Sequence, residues 1–231
     1  MGKSKSDGLS VGNRMKAYEN VFSFTLPKRI PVILRIDGRA FHTITRKRFG
    51  KGWSMEFAEQ MIETAKAVMK DIQGCKFCYS QSDEISFLIT DYRTISTDSW
   101  FDYDVRKMIS ISSSLASATF SNLYGKPACF DSRVFTVPQD DVVNYFIWRQ
   151  IDATRNAVQM AGREYYSHKE LYGVNCNEIQ EKLFQKGVNF DKYPIIRKRG
   201  FALVNNELDD RIPIFSKKRD YIEQFVYIRE D

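Results

Sequence analysis

Only three polar residues, Ser82-Asp83-Glu84, stand between two extended apolar runs in YSQSDEISFLIT, residues 79–90. A gap that short lets the flanking strands, read at about 76–81 and 85–91, pair only as an antiparallel hairpin. The turn lacks Asn-Gly or Asp-Gly, so these residues are not there for ease of turning. Two adjacent carboxylates beside a buried strand are costly unless something offsets their charge. The fold must therefore supply a partner for them.

The neighbouring segments fix where the hairpin sits. IPVILRI, residues 30–36, is a β-branched apolar run ending at Asp37-Gly38, and a basic loop from Thr45 to Gly52 follows. Ser54 is placed to cap a helix in which Ala58, Met61, Ile62, Ala65, Val68, Met69 and Ile72 recur at helical spacing, with Gly74 as its stop. A second helix spans about 103–123, and SRVFTV, residues 132–137, forms the next strand. The order β-α-β-β-α-β predicts an α+β, ferredoxin-like antiparallel sheet with both helices on one face. That topology brings the end of the first strand to the hairpin, so Asp37 and Asp83 should converge.

Downstream, residues 139–162 and 175–186 read as helices, the second capped by Asn175 and stopped by Gly187. Strands are expected at 201–204 and 221–228. No Pro- or Gly-rich linker interrupts the chain, which is read as one domain over 1–231: a flexible basic tail at 1–10, a core at 30–138 and an extension at 139–231. The opening MGKSKS matches a Gly2 acylation pattern, but a pattern so short carries no assignment.

With 43% hydrophobic and 14% aromatic residues, the 231-residue chain has ample material for a core. No apolar run approaches the roughly 18 residues a membrane span needs, and no signal-peptide pattern opens the chain, so a cytoplasmic protein is expected. A net charge of +6 suits a polyanionic partner. Cys75 and Cys78 form one CxxC, but a second is lacking, and His42 and His168 are the only histidines. Three residues apart in a strand, the two thiols should point to opposite faces, so a zinc site is not predicted and buried or incidental thiols are.

Two carboxylates brought together at a sheet edge repel unless they share a proton or hold a cation. Hard oxygens suit Mg²⁺, which takes one or two carboxylates and keeps other positions for water and phosphate. Gly38, without a side chain, would let its carbonyl approach such an ion. Arg39, Arg46, Lys47, Arg48 and Lys51 follow the first strand, and Arg106 and Lys107 open the second helix, where a helix N-terminus would favour phosphate. GxxxxGK[ST] is lacking, so a P-loop is excluded as the phosphate-binding device.

RIDGRAF (35–41), SQSDEISF (80–87), FDSRVF (130–135) and WRQIDATRN (148–156) occur in that order. Together they resemble the tRNA-His guanylyltransferase family, most of all its bacterial and archaeal guanylyltransferase-like members. The resemblance runs from about residue 15 to 204. It implies a palm-like core and two Mg²⁺ ions bound by Asp37, the Gly38 carbonyl and Asp83, with Glu84 beside them as a further catalytic carboxylate. By the same resemblance, nucleotide and triphosphate binding falls to Gly38, Arg39, Ala40, Phe41, His42, Lys51, Ser82 and Lys107. RNA contact falls to Arg133, Arg149, Arg155 and Asn156.

The reaction it implies starts with ATP activating a tRNA 5′-monophosphate. The 3′-hydroxyl of an incoming nucleoside triphosphate, GTP or another, then attacks the activated end. Both steps are phosphoryl transfers, catalysed by positioning and charge neutralisation. Eukaryotic members carry HINNLYN where this chain has Thr154-Arg155-Asn156-Ala157-Val158-Gln159-Met160, of which only Asn156 matches. That departure favours template-dependent repair of tRNA 5′ ends over dedicated addition of G at position −1. The family also implies a homotetramer. A nucleotidyl cyclase shares this core, but WRQIDATRN and the long basic C-terminal part weigh against it. A non-catalytic RNA-recognition module ranks last, because its base-stacking aromatic motif is missing.

Overall fold

The computed structural model describes residues 8–50, 52–94 and 96–227. Six strands form one antiparallel sheet in the order β4-β1-β3-β2-β5-β6: β1 Val32–Gly38, β2 Cys75–Gln81, β3 Glu84–Ile89, β4 Phe130–Thr136, β5 Phe201–Val204 and β6 Glu207–Asp209. The helices are α1 Val11–Asn20, α2 Phe41–Phe49, α3 Met55–Asp71, α4 Val105–Tyr124, α5 Val142–Tyr165, α6 Cys176–Gln185, α7 Ile195–Arg199 and α8 Asp220–Val226. Strands β4-β1-β3-β2 with α3 and α4 reproduce the expected ferredoxin-like order, and β5 extends the sheet beyond β2.

Alternation along β1 divides the core in two. Val32, Leu34 and Ile36 point into a cluster with Met61, Ala65 and Val68 of α3 and Met108, Ala116 and Phe120 of α4. Ile33 points the other way, into a cluster with Phe77, Leu88, Phe146 of α5 and Ile222 of α8. The sheet is thus covered on both faces, and the C-terminal segment supplies the second cover. α3 begins as the sequence indicates: Ser54 Oγ accepts from Phe57 N at 3.3 Å. α6 is closed by a capping box in which Asn175 and Glu178 satisfy each other's backbone.

Three expectations are corrected. The stretch predicted as a basic loop is mostly α2, because Phe41 anchors it among Phe57, Phe120 and Phe130 while its arginines face outward. The strand expected at 221–228 is α8 as far as Val226, and residue 228 lies outside the described residues. Its β-branched and aromatic content concealed a helical stripe of Ile222 and Val226, four apart and both buried. Helices α1 and α7 and strand β6 were not predicted.

Cys75 and Cys78 do not face opposite ways. A bulge between Cys75 and Phe77 shifts the register by one, and both thiols end in the α3 cluster. All four cysteines are free. The MGKSKS pattern lies outside the described residues; of the tail expected at 1–10, residues 8–10 are exposed and Ser10 caps α1.

Candidate active site

β1 leaves the sheet beside the tip of the β2–β3 hairpin, and the two backbones are joined. Gly38 N donates to the Asp83 carbonyl at 3.0 Å. A side chain at position 38 would be impossible here, since a Cβ would stand 2.4 Å from Phe41 Cδ2 and 2.8 Å from Asp83 Cβ. The two-residue turn Ser82–Asp83 holds Ser82 at φ +53°, a left-handed conformation that turns usually give to Gly or Asn. Ser80 Oγ donates to the Glu84 carbonyl at 2.9 Å, and Ser82 Oγ to Asp83 Oδ1 at 3.0 Å. One backbone bond and two serine hydroxyls therefore set where the acids stand.

The acids are then treated unequally. Asp37 lies in register with Glu84 on one side and Asp131 on the other. Glu84 is the neutralised member: Arg149 of α5 donates to it through Nε at 2.7 Å and Nη2 at 2.6 Å, and Arg35 Nε lies 3.7 Å away. Asp37 has weaker company, Arg35 Nη2 at 3.4 Å and Arg133 Nη2 at 3.9 Å. Asp83 forms no ion pair among the described residues. Burial first, and then the charges of Asp37 and Glu84, push its carboxyl above the usual range, against the Ser82 hydrogen bond that lowers it.

Asp83 opens onto a cleft of about 560 Å³, a size typical of ligand sites. Gly38, Ala40, Phe41, His42 and Arg46 line it from the β1 exit and α2, and Ser82 from the hairpin. Ala40 takes φ +57° and turns the chain straight into α2, whose N-terminus therefore borders the cleft and favours an anion there. Arg163, Tyr166, Ser167 and His168, from the end of α5 and just beyond, line the opposite side. Both histidines of the chain thus border one recess.

Not every predicted residue arrives. Lys107 does not, because α4 runs antiparallel to β4. Ser117 Oγ accepts from Phe130 N, opposite Gly38, whereas Lys107 lies ten residues nearer the helix start, roughly 15 Å away along the axis. The start of α4 packs instead on residues 24–26, through Val105 N to the Phe24 carbonyl and Leu26 N to the Tyr103 carbonyl. Arg106 is spent there too, on the Glu19 carbonyl and Ser23. Arg149, predicted to touch RNA, is buried against Glu84 and Asp152 and over the Trp148 ring. Its guanidinium holds Glu84 instead.

The Phe41 ring is core, while His42, Thr45 and Arg46 of its helix line the cleft. Arg39 is exposed, its backbone N–H bound to the Cys129 carbonyl. Arg133 is half exposed beside Asp37, and Arg155 and Asn156 are exposed on α5. Lys51 lies outside the described residues.

Among the described residues, no group of three or more His, Cys, Asp or Glu side chains is placed to hold a metal ion. Two carboxylates and a strand-end carbonyl are what remain: Asp37, Asp83 and Gly38. That donor set could not enclose an ion alone, but it suits a hard divalent cation that keeps water and phosphate in its remaining positions. Asp83, desolvated and without a cationic partner, is the feature that fits one.

Residues 12–138, more than half of the chain, match the sequence model of a family described as Thg1, tRNAHis guanylyltransferase. A bacterial tRNA(His) guanylyltransferase (Thg1)-like protein, solved in complex with ATP, is 44% identical with a TM-score of 0.90 over 94% of this chain and 100% of its own. Another such structure, in complex with GTP, is 41% identical with a TM-score of 0.84 over 94% and 99%. The tRNA(His) guanylyltransferase of Debaryomyces hansenii is 26% identical over 79% of this chain and 76% of its own. The carboxylate pair on a palm-type sheet and the match across β1 to β4 lead to one conclusion: the chain belongs to the tRNAHis guanylyltransferase (Thg1) family and is a nucleotidyltransferase.

Proposed function

We propose that this protein adds nucleotides in the 3′-to-5′ direction to the 5′ end of tRNA, repairing truncated ends under the direction of the opposite strand. ATP would activate the 5′-monophosphate, and GTP or other nucleoside triphosphates would be the units added. The observation that carries the reading is Asp83, an unpaired carboxylate docked against Asp37-Gly38 at the mouth of a cleft with basic walls. The bacterial relatives solved in complex with ATP and with GTP support nucleoside triphosphates as substrates.

In this reading Asp37, Asp83 and the Gly38 carbonyl hold two Mg²⁺ ions, which when bound supply charge neutralisation to the attacking and leaving oxygens. The chain's own groups do the rest. The start of α2, with Ala40 and His42, and Arg46 receive the triphosphate, and Ser82 fixes the Asp83 carboxylate through its hydroxyl. Glu84, locked by Arg149, keeps the hairpin in register with β1. Arg133, Arg155 and Asn156 are the exposed polar groups offered to RNA. A cytoplasmic location suits the substrate, and no described helix is long and apolar enough to cross a membrane. A homotetramer is supported by α1, which buries no residue of its own while Val11, Met15 and Tyr18 stand exposed.

Dedicated addition of G to tRNA-His is the second reading, favoured by the family's description. A single comparison separates the two. A 5′-truncated tRNA and an intact tRNA-His, both 5′-phosphorylated, are incubated with ATP and each labelled nucleoside triphosphate in turn. Repair requires addition to the truncated substrate that follows the opposite base. Addition of G to intact tRNA-His alone would replace repair by guanylylation.

A further inference from the structure

Beside the carboxylates the cleft continues into an apolar recess that no catalytic assignment uses. The two share Thr45, Gly52, Ser82 and Met160 in their walls. Trp53, Phe57, Met61 and Phe201 make the recess suited to a flat heterocycle, and it opens where a triphosphate at Asp83 would begin. Among the described residues one charged side chain lines it, Arg197 of α7.

Arg197 is held from three directions. Its Nη2 donates to both oxygens of Glu164 of α5, at 2.9 and 2.8 Å, and the two side chains are only 16% and 21% exposed. Its guanidinium carbon stands 3.6 Å from the centre of the Tyr193 ring and 6.0 Å from that of Trp53. A planar cation so fixed has lost most of its rotamer freedom before any ligand arrives, which is the condition for stacking or hydrogen bonding at low entropic cost.

The same Glu164 also shapes the opposite rim. Oε1 accepts from Trp53 N at 3.2 Å. Gly52, at φ +98°, passes so close that a Cβ there would lie 2.3 Å from Oε1. One carboxylate on α5 therefore ties the α7 wall and the loop between α2 and α3 to a single point.

We propose that Arg197 is a base-contacting residue of the nucleotide site and that Glu164 positions both it and the Gly52–Trp53 rim, a proposal that rests on the nucleotide-transfer reading above. The ligand class is a nucleoside triphosphate whose base enters the recess while its phosphates lie toward Asp83. A tie that served stability alone would not distinguish a nucleotide from its phosphate chain.

That distinction is the test. Binding of ATP, GTP and inorganic tripolyphosphate to the full-length protein is measured with Mg²⁺ present, for the wild type, Arg197→Ala, Arg197→Lys and Glu164→Gln. Arg197→Ala should weaken ATP and GTP about tenfold, the scale of a desolvated cation–π contact, and leave tripolyphosphate within twofold. Arg197→Lys, which keeps the charge but loses the plane, should fall between and covers the case in which the alanine variant fails to fold. Glu164→Gln should raise KM for ATP several-fold at nearly constant kcat. Equal weakening of ATP and tripolyphosphate, or unchanged ATP affinity in both Arg197 variants, would overturn the assignment. A wild type that binds tripolyphosphate but neither ATP nor GTP would overturn the nucleotide reading itself.

Discussion

Alternate residues of β1 belong to two different worlds. Val32, Leu34 and Ile36 are fully buried between the sheet, α3 and α4, in a cluster made almost wholly of apolar side chains. On the other face, Ile33 joins an apolar cluster, but Arg35 and Asp37 enter a network with Glu84, Arg133, Arg149 and Asp152. One strand thus packs a core along the whole of one side, and on the other passes from core at Ile33 to a charged network at Arg35 and Asp37. Pleating makes the separation clean, because neighbours along the chain never share a face.

Substitutions can break that comparison from either side. The largest effect expected is for Asp83→Ala, which should lower nucleotide addition on the order of a thousandfold, as for loss of a preorganised electrostatic group. Its melting temperature should be no lower than the wild type's. A carboxyl raised above its unfolded value costs stability at pH values above that value, so removing it costs none. Calorimetry beside a primer-extension assay reads both, and an unfolded variant would contradict the separation.

Arg149→Ala should blur the two faces. It strands Glu84 without its nearest cation in a place where the two side chains are only 10% and 16% exposed. Removing one partner of a buried pair costs about 3–5 kcal/mol, so denaturant unfolding should shift markedly and activity should fall with it. Replacing both members, with Glu84→Gln and Arg149→Met together, should recover most of the stability. Ile36→Ala, on the apolar face of the same strand, should cost about 2–5 kcal/mol while activity per folded molecule stays near wild type.

The smallest effect concerns the thiols. Burial pushes Cys75 up to about 12 and Cys78 well above the ordinary thiol value, so both remain protonated at neutral pH. Alkylation of the native protein at pH 8 should therefore mark Cys129, which is exposed, and spare Cys75 and Cys78 until the chain unfolds. Mass spectrometry of the labelled peptides checks it. Early labelling at Cys78 would mean that the α3 face opens readily.

The sequence makes legible whatever is written in short-range pattern. The hairpin, β1 and the cap of α3 follow from periodicity, a short gap and one serine, and the βαββαβ order then forces Asp37 toward Asp83. What depends on long-range direction is not legible in the same way. Lys107 reads as a helix-start cation near phosphate, yet the antiparallel run of α4 against β4 carries it to the far end. Arg163 and His168 carry no local signal, since their place in the cleft depends on how α5 crosses the sheet. Arg149 reads as an RNA-facing cation because nothing along the chain reveals that Glu84 lies beneath it.

Helix α5 has a consequence for the limits of the enzyme. Arg149 and Glu164 lie fifteen residues apart on it, about 22 Å along the axis, and one steadies the hairpin acid while the other steadies the rim of the recess. The family match ends at residue 138, before this helix begins. A fragment cut there would retain both Asp37 and Asp83 and still be crippled. It would bare Ile33, Phe77 and Leu88 to water and leave Glu84 without its guanidinium. The segment that carries the family's signature is thus smaller than the smallest piece that can work, and α5 behaves as a splint without which the signature has no rigid geometry.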